Sequence, residues 1–175
     1  MNDLEKRMYF FVPYNISPIQ QAIQAGHAAI EYSRKYKDSE LFIDFADNWK
    51  TWIILNGGTT NNNINRGLLE IAHLSPFRCG EIDHSLFYEP DLNDALTAIC
   101  FIADERVFNY EDYPDIYSFS KNIIDTNEWF ELRNGKQDYG FIKQVIPSVY
   151  KDWELSLGGS KNVFLRNILR NKKLA

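Results

Sequence analysis

Apolar and polar positions alternate between two periods along the first hundred residues. Met8 to Pro13 (MYFFVP) is a short aromatic and apolar run with the composition of a buried strand, and Pro13 ends it. Ser17-Pro18-Ile19-Gln20 follows. Serine can cap a helix, proline suits its first position, and glutamine three residues on completes a capping box, so a helix is predicted from Pro18 to about Tyr36. Ala22, Ala25, Gly26 and Ala29 recur at helical spacing and predict a narrow contact strip toward a sheet.

Thr51 to Leu55 (TWIIL) reads as a second buried strand, running into the polar loop Asn56 to Asn63. Ile64 to His73 has the spacing of a short helix. Ile82 to Tyr88 and Thr97 to Ile102 read as two more strands, joined by Glu89-Pro90-Asp91-Leu92-Asn93-Asp94. Strand, helix, strand, helix and then two strands predict an α/β fold: a mixed four-stranded sheet flanked by helices, over residues 8–103. Residues 104–175 are expected to be a C-terminal elaboration of that core within a single domain. They show modest helical periodicity at Ser118 to Leu132 and a segment from Phe141 to Trp153 that could pack on the sheet. Gly158-Gly159-Ser160 reads as a break before a last helix, on which Phe164, Leu165, Ile168 and Leu169 share a face.

Composition narrows the class. A chain of 175 residues with 45% hydrophobic and 25% charged residues is that of an ordinary globular protein. It shows neither a secretory h-region nor the ~20 apolar residues that span a bilayer. A cytoplasmic protein with no membrane partner is therefore expected, and with only Cys79 and Cys100 present, idle reduced thiols rather than a disulfide. The net charge of −5 argues against general affinity for nucleic acid. Charge is uneven, however: Ser160 to Ala175 holds Lys161, Arg166, Arg170, Lys172 and Lys173 and no acid. A contact with a polyanion would involve that end, although a solvated helix face with snorkelling side chains is the more ordinary reading of it.

Ligands in α/β sheets sit beyond the carboxyl ends of parallel strands, where helix N-termini and loop amides gather. That places Asn15 and Ser17 beside a candidate site, together with the Asn56 to Asn63 loop, whose Gly57 and Gly58 permit close approach of a phosphate or sugar. Glu89, Asp91, Asn93 and Asp94 crowd the other loop. Such carboxylates can act as acid and base or accept from sugar and base donors, while Pro, Asp and Asn are also ordinary turn formers. His27 is expected to be a hydrogen-bonded packing residue near Ile23 and Ile30. His73, Cys79, Asp83 and His84 lack metal-ligand spacing, so neither a metal nor another cofactor is expected.

Asn15-Ile16-Ser17-Pro18-Ile19-Gln20-Gln21-Ala22-Ile23-Gln24-Ala25-Gly26-His27-Ala28-Ala29 resembles the first helix of the peptidyl-tRNA hydrolase 2 family, which carries a lysine-rich start and then Ala-Ala-Gln-Cys-x-His-Ala-Ala. Gln24, His27 and Ala28 fall on matching positions. Tyr88-Glu89-Pro90-Asp91 and Leu96-Thr97-Ala98-Ile99 are similar to a shortened form of the family's Arg-Asp-Ala-Gly loop and last strand. The style of the motif also resembles divergent versions borne by bacteriophages. The resemblance spans about Met8 to Ala103 and implies hydrolysis of the ester joining peptide to tRNA, with lysines at the positions of Asn15 and Gln20 and an aspartate at that of Glu89.

Both cations are missing here, and a neutral amide cannot stabilise an oxyanion or hold phosphate as an ammonium does. The expectation is thus a retained pocket with changed use. It would bind a small nucleotide or nucleotide-derived ligand through Asn15, Ser17, Gln20, Gln24, Glu89, Asp91, Asn93 and Thr97. In a phage setting it would sequester a host nucleotide signal. Two alternatives stand beside it: a hydrolase using Glu89 or Asp91 with water, on tRNA or another nucleotide ester, and an interaction module built on Trp129, Trp153 and Phe164, including self-association.

Overall fold

A computed structural model describes residues 4–59, 67–120, 143–144, 146–170 and 172–175. These group into two compact units, one within Met1–Glu105 plus Asn167–Ala175 and one within Arg106–Arg166. The first unit contains β1 (Lys6–Pro13), α1 (Pro18–Tyr36) and α2 (Glu40–Asp44), which runs into a π turn at Phe45–Trp49. Then follow β2 (Thr51–Gly58), α3 (Leu68–Ala72), α4 (Ser75–Arg78), β3 (His84–Glu89) and β4 (Ala95–Asp104). The strands form the mixed four-stranded sheet that the pattern predicts, in the order β2-β1-β4-β3. β2 is parallel to β1, and β4 is antiparallel to both β1 and β3. The carboxyl ends of β1, β2 and β3 therefore share one edge of the sheet, which is where loops can converge.

The sheet is covered on both faces because β1 is apolar and buried at every position from Met8 to Pro13. Met8, Phe10 and Val12, with Ala98, Cys100 and Ile102 of β4, meet Ala25, Ala28 and Tyr32 of α1. The alternate residues Tyr9 and Phe11 lie 5.8 and 5.7 Å from Phe101, and Phe77 of α4 closes on the same ring at 5.5 Å. Each fully buried phenyl ring contributes about 1.5–3 kcal/mol. Burial also pushes the Cys100 thiol and the Tyr32 phenol up, so both stay neutral.

Helix α1 starts as predicted. Ser17 Oγ accepts from the Gln20 amide at 3.3 Å, and Gln20 Oε1 accepts from the Ser17 amide at 3.0 Å. The strip of small residues is rotated from its expected place: Ala25 is buried and Ala29 packs in part, but Ala22 is exposed and a side chain at Gly26 would meet only open space. The buried face is Gln21, Gln24, Ala25, Ala28 and Tyr32. Glutamine can turn inward because partners await it: Gln21 Nε2 donates to the Pro13 carbonyl at 3.1 Å, which satisfies a group the end of β1 leaves open.

In the second unit lie α6 (Ile116–Phe119), α7 (Pro147–Ser156) and most of α8 (Ser160–Leu169), with α5 (Glu105–Phe108) at the border. Ile116, Tyr150, Trp153, Leu157 and Val163 form its own core. Trp153 thus belongs to that cluster, fully buried, its indole donating to the Pro114 carbonyl at 3.0 Å. Gly158 and Gly159, at φ 85 and 108, supply the expected break before α8. The inward face of α8 is Asn162, Val163, Leu165 and Arg166; of the four apolar residues expected to share a face, Leu165 is buried and Phe164, Ile168 and Leu169 are partly exposed. The periodicity at Ser118 to Leu132 beyond Ser120, Trp129, and the polar residues 60–66 lie outside the described residues.

Candidate functional site

Three of the residues expected to line a pocket meet at the carboxyl end of β3. The ladder between β3 and β4 slips there, pairing Phe87 with Ala98 but Tyr88 with Leu96, so Thr97 is an extra residue in a bulge. A bulge puts two successive side chains on one face. Thr97 consequently turns toward α1 beside Ala98, where strict alternation would have aimed it away. Its hydroxyl donates to Gln24 Oε1 at 2.8 Å, and Gln24 Nε2 donates to Glu89 Oε2 at 2.6 Å. An ionised carboxylate can only accept, which fixes the orientation of the Gln24 amide. Thr97 is fully buried and Gln24 nearly so, whereas Glu89 is half-buried. The result is a carboxylate held from beneath by a satisfied polar pair.

The other expected residues are not drawn into this group. Asn15, Ser17, Gln20, Asp91 and Asn93 are all exposed. Asp91 rides on a single 3-10 turn, Pro90–Leu92, and Asn93 and Asp94 both adopt φ 54, a left-handed conformation that Asn and Asp tolerate. The N-terminus of α1 also offers a phosphate less than expected: Pro18 has no amide hydrogen, the Gln20 amide serves Ser17 Oγ, and the Gln21 amide serves the Ser17 carbonyl at 2.9 Å. His27 packs its ring 4.4 Å from that of Phe87, and its buried Nδ1 has no hydrogen-bond partner, in place of the bonded histidine expected. Among the described residues no group of three or more His, Cys, Asp and Glu side chains is placed to hold a metal ion, and no helix is long and apolar enough to cross a membrane.

A cavity of about 610 Å³ opens at the carboxyl end of β2, on the face of the sheet opposite α1. Its walls include Asn56, Glu70, Asn167, Arg170, Lys172 and Lys173. Gly57 and Gly58 line it too, although Gly57 is required by packing: a Cβ there would stand 2.4 Å from Leu68 Cδ2 and 2.8 Å from Phe11 Cβ. Asn56, Gly57 and Gly58, expected in a loop but found at the end of β2, thus meet the basic C-terminus, a separate signal in the sequence. Nothing in either segment alone specifies their pairing.

Compared with known proteins, the chain matches no family model and no curated protein.

Proposed function

We propose that this chain binds a small nucleotide-type ligand at the carboxyl edge of its sheet, beside Glu89, and does so without turnover. The observation that carries the reading is the chain of hydrogen bonds from buried Thr97 through Gln24 to Glu89. It orients a carboxylate at the end of a strand, where sugar hydroxyls and base amino groups are donors in search of an acceptor. Kinship with the peptidyl-tRNA hydrolase 2 family, as a divergent member, is part of the same proposal. It is supported by the fact that Gln24 of the helix motif and Glu89 of the loop motif bond to each other, as two halves of one site would.

Binding is favoured over hydrolysis because Asn15 and Gln20 are neutral where the family's cations would stand, and Gln20 is committed to the capping box. A thermal-shift screen over linear and cyclic nucleotides, followed by mass spectrometry of the bound species, tests this: an intact nucleotide is expected. Glu89→Ala should then weaken its binding by about 1–3 kcal/mol with the fold unchanged. Unchanged affinity would move the site elsewhere, and recovery of a hydrolysed product would replace the binder by an enzyme using Glu89 or Asp91.

A further inference from the structure

The geometry points to a second, separate ligand site: the cavity at the carboxyl end of β2 receives a small anion carrying a diphosphate, held by Lys172 and Lys173 with Arg170. This goes beyond the reading above, which concerns the opposite face of the sheet and does not use these residues. Three cations and one carboxylate, Glu70, line a cavity of about 610 Å³, within the range typical of small-molecule sites. Asn56 and Asn167 add amide groups that can donate to phosphate oxygens.

The cations are not on a loose tail. The C-terminal residues return along the open edge of β2 and pair with it: the Asn56 amide donates to the Lys173 carbonyl at 3.0 Å, the Ala175 amide to the Ile54 carbonyl at 3.1 Å, and Leu174 bridges Leu55 in antiparallel fashion. Lys172 is further placed by its own amide, which donates to the Leu169 carbonyl at 3.1 Å, and its ammonium lies 5.4 Å from the centre of the Phe11 ring. Main-chain bonds therefore fix where both lysines start, and only their flexible ends must be ordered by a ligand.

Charge selects the class of ligand. The two ammonium groups of Lys172 and Lys173 suit the paired anionic groups of a diphosphate better than a single phosphate, and the cavity leaves room for the group it is attached to. A long nucleic acid is disfavoured by the net charge of −5, since a protein that grips a nucleic-acid backbone normally carries a basic surface.

Calorimetric titration of the full chain with inorganic pyrophosphate at low ionic strength tests the site. A saturable single site is expected, with inorganic phosphate binding more weakly and added salt weakening both. Lys172→Ala combined with Lys173→Ala should reduce pyrophosphate affinity by about tenfold or more. Lys173→Gln alone should give a smaller loss, and Glu70→Gln a gain. Glu89→Ala should leave pyrophosphate binding unchanged, which separates this site from the first. Lys161→Ala, a basic residue of the same C-terminal stretch that does not line the cavity, should also leave it unchanged. Absence of binding, or an equal loss from Lys161→Ala, would overturn the proposal, as would tighter binding of single-stranded RNA than of pyrophosphate through the same lysines.

Discussion

The basic residues near the C-terminus divide into two kinds that their sequence does not separate. Arg166, on α8, is fully buried: its guanidinium donates to the Arg106 carbonyl at 2.9 Å and the Tyr113 carbonyl at 2.5 Å, lies 3.7 Å from Asp115 and sits over the Tyr110 ring at 3.9 Å. Lys172 and Lys173 are exposed beside an open cavity. One charge is consumed in holding two main-chain carbonyls inside the second unit; the others remain available to an outside anion. The same division separates Gln24 and Thr97 from Asp91 and Asn93. A polar residue in a candidate site is informative only once it is known whether the fold already uses it.

The sharpest way to break that comparison is to remove the internal cation. Arg166→Met keeps much of the volume but abandons two carbonyls and Asp115, and the loss of one partner of a buried charged group costs about 3–5 kcal/mol. Urea denaturation should show a midpoint far below that of the wild type, while Lys172→Ala and Lys173→Ala each stay within ~1 kcal/mol, the scale of an exposed cation-π contact or less. If Arg166→Met were as stable as the lysine variants, its burial would contribute nothing and the two kinds of cation would be one.

Thr97→Val comes next. The substitution keeps the shape and strips the hydroxyl that Gln24 Oε1 accepts from, leaving a buried oxygen unsatisfied at a cost of about 1–3 kcal/mol. Gly57→Ala should fall in the same range for a different reason, the intrusion of a methyl group between Leu68 and Phe11. Reaction with a thiol reagent gives a common readout. Cys79 is exposed and Cys100 buried with its thiol pushed up, so one thiol of the folded protein should react quickly, and the second only as a variant opens the sheet.

These variants also mark how far the sequence could be read. Helix α1 was legible because its signals are local: Ser17, Pro18 and Gln20 fix the start within four residues. Its buried face was not, because an isolated helix gives no sign that Gln21 and Gln24 have partners, supplied by Pro13 and by Thr97 and Glu89. Thr97 lay within a predicted strand, yet its direction depends on a bulge that breaks the period of two. Likewise the excess charge of the C-terminus was plain, while the difference between Arg166 and Lys173 is set by contacts with residues 53 to 117 positions away. Local chemistry is written in order along the chain; its use is decided by what arrives from elsewhere.

The smallest expected effect concerns Asn93, and the choice of substitution decides whether the result means anything. Asn93 sits at φ 54 immediately before Asp94 at the same angle, so alanine there would meet a steric penalty of about 1–2 kcal/mol unrelated to any ligand. Glycine adopts this conformation freely and removes the side chain alone. Asn93→Gly should therefore leave thermal stability almost unchanged, and it isolates the amide as a ligand contact. With the nucleotide found by screening, a loss of affinity in Asn93→Gly comparable to that in Glu89→Ala would extend the site from the held carboxylate onto the exposed turn. Full affinity in Asn93→Gly with a loss in Glu89→Ala would confine recognition to Glu89 and the pair beneath it, and would leave the rest of the acidic loop as the turn its composition also predicts.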